Sequence, residues 1–158
     1  MRTFSKNLAI ANRVDQSLER SFFYSFYFEG QPYNGALIGF LSIPEAQPMY
    51  LSTVEVVFQD LPKEALTLKL MKTTTAHTGS SVVLDETEFT GNNSEEVELL
   101  GNPVTIPVGV DEMDIRHEFG LAILLSGGYK YFFEVETSAT DTISKGQGLN
   151  VILGTVLS

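Results

Sequence analysis

The two histidines are the side chains best suited to acid–base chemistry near neutral pH, and neither lies in a catalytic motif. His77 stands in a polar run of threonines, and His117 follows Asp114 and Arg116. A serine hydrolase needs its nucleophile presented in a turn such as Gly-x-Ser-x-Gly, which this chain lacks. The absence of cysteine excludes thiol catalysis, disulfides and thiolate metal sites. We therefore interpret both histidines as surface residues and expect no enzymatic activity.

Acidic residues are the next candidates for chemistry, because loop carboxylates can bind calcium. They cluster in three segments, at 85–88, 95–98 and 111–114. Calcium takes about six to eight oxygen ligands, and Asp111, Glu112 and Asp114 are the best candidates in a loop. No segment has the EF-hand spacing, and none places two carboxylates across a cleft as a glycosidase requires. A solvated acidic surface is the favoured interpretation, so we predict neither a metal nor a cofactor.

Aromatic side chains in turns are candidates for carbohydrate binding, since sugar rings stack on exposed aromatic surfaces. The chain has no tryptophan, so tyrosines would have to serve. Tyr33 and Tyr50 lie in segments that resemble turns, and they are the candidate glycan-binding residues if the protein binds carbohydrate. Packing at the rim of the fold is the favoured interpretation for both.

The charge distribution narrows the classes of partner. The chain has 158 residues and a net charge of −10. Residues 1–20 hold four basic and two acidic side chains, a net +2, which leaves −12 for residues 21–158. So acidic a body repels phosphate, and we predict no nucleic acid and no membrane as partner. The basic segment either docks on an acidic partner or is a solvated lead-in, and the second interpretation is favoured.

Neither apolar run of the chain is long enough to be a targeting or membrane segment. The stretch Leu8–Ala11 is too short for the core of a secretory signal, and residues 119–125 are too few to span a bilayer. We therefore expect a protein made in the cytoplasm without a signal peptide.

Alternation of apolar and polar residues predicts strands through most of the chain. It is clear at 51–59, at 64–72 and at 104–110, where we expect Val104, Ile106, Val108 and Val110 to share a face. Pro107 cannot donate to a ladder, so this strand should lie at an edge or end there. Only residues 7–20 have a helical pattern.

The strand pattern, punctuated by turns, predicts an all-β fold in one domain, residues 1–158. We expect an antiparallel two-sheet β-sandwich of about nine or ten strands, in a jelly-roll arrangement. Residues 1–20 are predicted to form an N-terminal arm or short helix, and residues 21–158 the sandwich body.

The run Ser126–Gly128 predicts a hairpin. A three-residue loop sets Leu125 opposite Tyr129 and pairs apolar with apolar side chains along both strands. A two-residue loop would set Leu125 opposite Lys130 and mix apolar with charged side chains. The longer loop also gives Gly128 the left-handed position of a type I turn with a bulge. We therefore predict a hairpin in the first of these registers.

Three segments are apolar on both faces: Ser21–Glu29, Gly35–Ile43 and Leu149–Leu157. Antiparallel sheets commonly keep one face polar, so these strands need a second cover. The cover is either residues 1–20 or another subunit, and we favour a subunit because exposed apolar patches mark interfaces. The candidate interface side chains, nearly all aromatic, are Phe22, Phe23, Tyr24, Phe26, Tyr27, Phe28, Ile38 and Phe40.

The whole chain resembles small β-sandwich virion proteins of tailed bacteriophages, namely capsid cement or decoration proteins and components of tails or fibres. The resemblance lies in the cysteine-free acidic composition, the basic lead-in and the two-sided strands, and it includes no diagnostic motif. It implies a non-enzymatic structural protein of the virion that forms a homo-oligomer and docks on a capsid or tail. The alternative is a carbohydrate-binding, receptor-binding module that uses Tyr33 and Tyr50.

Overall fold

The computed structural model describes residues 21–30, 32–74, 76, 93–99, 103–138 and 148–157. Within these ranges the chain forms nine strands and one 3₁₀-helix. The strands are β1 (Ser21–Glu29), β2 (Leu37–Ser42), β3 (Met49–Phe58), β4 (Leu66–Thr73), β5 (Ser94–Glu96), β6 (Val104–Ile106), β7 (Arg116–Leu125), β8 (Lys130–Thr137) and β9 (Gly148–Leu157). The predicted arm or helix at residues 1–20 lies outside the described residues, as does His77.

The strands form two antiparallel sheets that face each other. The first sheet has the order β1-β9-β3-β7. The second has the order β2-β8-β4-β5, and β6 also pairs with β4. The predicted all-β, two-sheet sandwich is thus confirmed. The narrower prediction of a jelly roll stays a prediction, with which these strand orders are compatible.

The core lies between the sheets and is built from alternate residues of each strand. The inward positions predicted for 51–59 and 64–72 are all at most 5% exposed: Val54, Val56, Phe58, Leu66, Leu68 and Leu70. Thr53 and Glu55, on the opposite phase, are half-buried. Each large apolar side chain contributes about 1.5–3 kcal/mol when it is fully buried. Burial of these stripes therefore determines which face of a strand points inward.

The segments on either side of Ser126–Gly128 do not form the predicted hairpin. β7 pairs with β3 in the first sheet, whereas β8 pairs with β2 and β4 in the second. The loop crosses between the sheets, so Leu125 and Phe133 face the same core from opposite sides. The prediction was wrong because apolar alternation is satisfied equally by two strands side by side and by two strands facing each other. Gly128 does have the predicted left-handed backbone, with φ 87°, and its N–H donates to the Ile43 carbonyl at 2.8 Å.

β2 departs from the strict alternation expected of it. Its register with β8 shifts between Ile38 and Leu41, and Gly39 inside the shift has φ 76°. Ile38 and Leu41 are consequently both buried, while Phe40 is exposed. Strict alternation predicts Ile38 on the same face as Phe40, and Leu41 on the opposite face. That was wrong because a bulge adds one residue to a strand and inverts the alternation beyond it.

β6 is shorter than the strand predicted at 104–110. It ends at Ile106, directly before Pro107, which confirms that the proline ends the strand. Val108 and Val110 are 46% and 87% exposed, so the expected face shared with Val104 and Ile106 is wrong. The reason is that a proline without an N–H stops the ladder, and the period of two applies only while the ladder lasts.

Candidate interaction surface

The outer face of the first sheet is the face that points away from the core. β1 contributes its odd-numbered residues, namely Ser21, Phe23, Ser25, Tyr27 and Glu29. Large apolar side chains are exposed here on three strands: Phe23 (72%), Tyr27 (51%), Tyr50 (44%) and Leu124 (47%). The most exposed of them is Phe23, on β1.

β1 forms one edge of this sheet. It pairs with β9 without interruption, from Ser21 opposite Val156 to Glu29 opposite Gly148. Within the described residues no strand pairs with its other side. Its inward-facing aromatic residues Tyr24, Phe26 and Phe28 pack against the core but are only partly buried. β1 therefore presents aromatic surface on both of its faces.

Phe23 lies over a row of small residues. It pairs with Gly154, and a Cβ added to that glycine would lie 3.2 Å from the Phe23 ring and collide with Thr53 Oγ1. The row continues through Thr53 to Gly120, which has no other atom within 4 Å of its Cβ position. The Phe23 ring therefore lies beside Gly154, at the β1 end of this row of small residues.

Polar contacts occupy the opposite end of the outer face. Arg116 Nε lies 2.8 Å from Glu55 Oε1, and its Nη2 lies 3.8 Å from a carboxylate oxygen of Glu118. The Tyr27 hydroxyl donates to Gln59 Oε1 at 3.1 Å. Exposed ion pairs contribute about 0–1 kcal/mol, so these contacts keep this end hydrated and add little stability. Phe23, Tyr50 and Leu124 lie toward the other end of the face, whereas Tyr27 lies among these polar contacts.

The structure divides the eight candidate interface side chains into three groups. Ile38 is 3% exposed in the core and adds no surface. Tyr24, Phe26 and Phe28 are partly buried. The exposed ones are Phe22, Phe23, Tyr27 and Phe40. Their role as an interface stays a prediction.

The three segments that are apolar on both faces do not all lie in one sheet. β1 and β9 are neighbours in the first sheet, but β2 is in the second. Phe40 of β2 therefore lies on the other side of the molecule, where its ring stacks on Phe132 with centroids 5.7 Å apart. Phe132 is itself completely buried, although it alternates with the core residues of β8. The exposed aromatic surface is concentrated on β1.

The acidic segment 111–114 builds a local turn. Asp111 caps the 3₁₀-helix Glu112–Ile115, its carboxylate accepting from the Met113 N–H at 3.3 Å. Asp114 Oδ2 accepts from two backbone N–H groups, those of Val110 at 2.8 Å and Asp111 at 2.9 Å. These two bonds lower the pKa of Asp114 below its usual value. Across the described part of the chain, no three His, Asp or Glu side chains are grouped to hold a metal ion.

Replacing Asp114 with asparagine should destabilise the fold at neutral pH and lose this effect in acid. Because the folded-state pKa is lowered, the ionised carboxylate stabilises the fold fully above its ordinary pKa of 3.8. That stability disappears as the pH falls through the lower, folded-state pKa. Urea unfolding of both proteins at pH 7 and in the acid range measures the difference. Glu112→Gln is the control, expected within about 0.5 kcal/mol of wild type throughout; an unchanged Asp114→Asn difference in acid would contradict the interpretation.

His117 is half-buried, so the interpretation as a plain surface residue was wrong. Its Nε2 donates to the backbone carbonyl of Asp114 at 2.7 Å. Its ring meets Phe58 edge to face, with centroids 6.1 Å apart. The sequence could not show this, because β7 turns this residue inward at the end of the core.

Carboxylates also line a cleft of about 370 Å³ beside β4. Glu96 and Glu98 border it together with Lys69. The two glutamates stand two residues apart on one segment, whereas a glycosidase places its carboxylates on opposite sides of the scissile bond. Lys69 pairs with Glu136 at 2.9 Å, which raises the pKa of the lysine. The absence of enzymatic activity stays a prediction.

The two tyrosines of the carbohydrate alternative lie at opposite ends of the first sheet. Tyr33 is 39% exposed and packs against Phe28, with ring centroids 6.0 Å apart. Tyr50 lies inside β3 and not in a turn, and it pairs with Val156. Phe28 pairs with Leu149, so seven residues of β9, about 24 Å, separate the two positions. They do not form one sugar-binding platform.

Comparison with known proteins identifies no family. No family model matches the chain, and no curated protein matches it. Among solved structures it is similar to a chain of Tomato Aspermy Virus, determined by X-ray crystallography. The two are 10% identical, the match covers 96% of this chain and 94% of that chain, and the TM-score is 0.31. A likeness at this score carries no argument about function.

In the described ranges, no helix is long and apolar enough to cross a membrane.

Proposed function

We propose that the chain is a non-enzymatic structural protein of a virion. In this role it assembles with copies of itself and docks on a capsid or tail as a cement or decoration component. The observation that carries the proposal is the aromatic surface of β1, where Phe23 and Tyr27 are 72% and 51% exposed. Aromatic residues are enriched at protein interfaces, and contiguous exposed apolar patches mark such sites.

The charge of the body supports a protein as the partner. Residues 21–158 carry a net −12, which opposes binding to phosphate-rich surfaces. The capsid or tail partner would instead offer apolar surface to the outer face of β1 and basic side chains around it. Complementary charge of this kind accelerates association and selects the partner more than it adds affinity.

The strand order adds a fold-level analogy. The sheet orders β1-β9-β3-β7 and β2-β8-β4-β5 are compatible with the jelly roll that the sequence predicts. Jelly rolls are used by viral capsid domains and also by lectin domains and cupins. The fold therefore suits the proposal without selecting it, since function depends on the surface.

Loss of the two exposed aromatics of β1 should lower incorporation into particles. The double variant Phe23→Ser, Tyr27→Ser removes two anchors of the kind that each contribute more than about 1 kcal/mol to binding. We expect at least about ten-fold fewer copies per gradient-purified particle. Quantitative mass spectrometry of the particles gives the copy number.

The matched control is Val110→Ser, Met113→Ser, which also removes two exposed apolar side chains, 87% and 83% exposed. Val110 precedes the 3₁₀-helix and Met113 lies within it, both away from β1, so incorporation should stay at the wild-type value. A wild-type chain that is absent from particles would contradict the virion role. Equal loss in both double variants would contradict the role of β1.

A further inference from the structure

We infer that a second copy of this chain pairs with β1 along the edge to which no described strand pairs, antiparallel, about a two-fold axis at Ser25. The inference rests on the self-assembly part of the proposed function and names its geometry. The first sheet of one copy would join the first sheet of the other into a single eight-stranded sheet. A two-fold contact of this type is closed, because each copy uses the same surface.

The first reason is that β1 lacks the features that protect edge strands. Edge strands usually avoid pairing through short length, lysine, proline or a bulge. β1 has nine residues in unbroken register with β9, and residues 21–28 contain neither a charge nor a proline. The opposite edge, β7, points Arg116 and Glu118 outward, and its pairing with β3 contains a register shift. Of the two edges of this sheet, β1 is the one able to accept a strand.

The second reason is that the aromatic pattern of β1 is a palindrome centred on Ser25. Antiparallel pairing about that residue sets every aromatic residue against another aromatic residue, namely Phe22 with Phe28, Phe23 with Tyr27 and Tyr24 with Phe26. Cross-strand aromatic pairs stabilise antiparallel sheets. Because each pair occurs twice about the axis, all six aromatic side chains of each copy gain a partner.

Neighbouring registers are worse, which makes the prediction specific. Registers that keep the same side chains outward must shift by an even number of residues. Centring the axis on Tyr24 sets Phe23 opposite Ser25, and centring it on Phe26 sets Phe23 opposite Glu29. Only the Ser25 register pairs every aromatic residue.

The Ser25 register also keeps the charged residue of β1 away from its own copy. Two bodies of −12 repel each other, so the contact must avoid direct opposition of like charges. In the Ser25 register Glu29, the one charged residue of β1, faces Ser21 of the second copy. The second copy would also finish the burial of Tyr24, Phe26 and Phe28, which the single chain leaves partly exposed.

Variants that introduce a charge at Ser25 test the pairing. This exposed residue would lie opposite Ser25 of the second copy across the axis. Ser25→Glu and Ser25→Lys each place like charges in opposition and should weaken the dimer about ten-fold or more at low salt. An equimolar mixture of the two variants should regain wild-type affinity as a heterodimer. Analytical ultracentrifugation of the full-length chain measures the dimer affinity of each variant and of their mixture. Ala122→Glu and Ala122→Lys, exposed on β7, are the matched controls and should dimerise as wild type does.

A cysteine reports the register directly, since the chain has none of its own. Ser25→Cys should form a disulfide-linked dimer on mild oxidation, because directly opposed Cβ atoms lie about 4.5–5.5 Å apart. Glu29→Cys should not, since it faces Ser21, and Ala122→Cys should not, since it lies on the other edge. Cross-linking of Glu29→Cys instead of Ser25→Cys, or loss of the dimer in the Ala122 variants, would overturn the pairing.

The outcomes separate this inference from the proposed function. A wild-type chain that stays monomeric at high micromolar concentration overturns the pairing, whether residues 1–20 or a virion protein occupies the edge. If that monomer still binds particles, the virion role stands without pairing between copies. A dimer with the Ser25 behaviour that never enters particles supports the pairing and rejects the virion role.

Discussion

Replacing Phe133 with alanine should lower the free energy of unfolding by about 3–5 kcal/mol. Phe133 is completely buried between the sheets. On β8 it pairs with Ile38 of β2 and Leu70 of β4, and its ring lies 3.5 Å from the Cβ position of Gly39. Truncation loses the transfer free energy of the ring and leaves a cavity that two rigid strands cannot fill. Domains of this kind are stable by only about 5–15 kcal/mol, so the loss should be visible as a large shift of the urea midpoint.

The matched control for Phe133 is Phe23→Ala, the same substitution on the outer face. Phe23 is 72% exposed, so we expect a change within about 1 kcal/mol. Both variants should be measured at a concentration at which the chain is monomeric, because Phe23 belongs to the inferred contact between copies. Equal destabilisation by the two substitutions would contradict the placement of Phe133 in the core.

Replacing Gly127 with alanine should destabilise the fold by about 1–3 kcal/mol through overpacking. A Cβ at this position would lie 2.8 Å from the Pro44 carbonyl oxygen and collide with that of Glu45. Both obstacles are backbone atoms of the turn between β2 and β3, so they cannot swing aside as a side chain can. The crossing between β7 and β8 would have to move away from that turn. Thermal unfolding followed by circular dichroism measures the loss.

Gly120→Ala is the control for Gly127, because it adds the same methyl group where no other atom lies within 4 Å. Neither glycine has a positive φ, so backbone strain does not separate the two substitutions. We expect Gly120→Ala to lie within about 0.5 kcal/mol of wild type. A loss at Gly120 as large as at Gly127 would show that steric contact is not the cause.

The candidate surface could be predicted from the sequence only in part. The run 21–29 is aromatic on both faces, and that pattern alone indicated surface that needs a cover. Its position at a sheet edge depends on the pairing of β1 with β9, residues that are more than a hundred positions apart. No sequence signal indicated the bulge in β2, so the burial of Ile38 could not be predicted either.

By itself the sequence determined several strands and, where the alternation is unbroken, their inward faces. Alternation at 51–59 and 64–72 predicted the core residues, Pro107 predicted a strand end, and Gly128 a left-handed turn. These properties are local: a strand sends successive side chains to opposite faces, and proline and glycine restrict or extend their own backbone. They follow from each segment whatever its neighbours are.

Only the tertiary structure decided which strands are neighbours. It placed β7 and β8 in different sheets, shifted the phase of β2 and turned His117 into the end of the core. The physical reason is that ladders are made by backbone N–H and C=O groups, which are the same in nearly every residue. The side-chain pattern therefore specifies what must be buried, while the choice of partner strand follows from how all the buried faces fit together. The place of β1, with its aromatic palindrome, at the edge of the described sheet is a product of that choice.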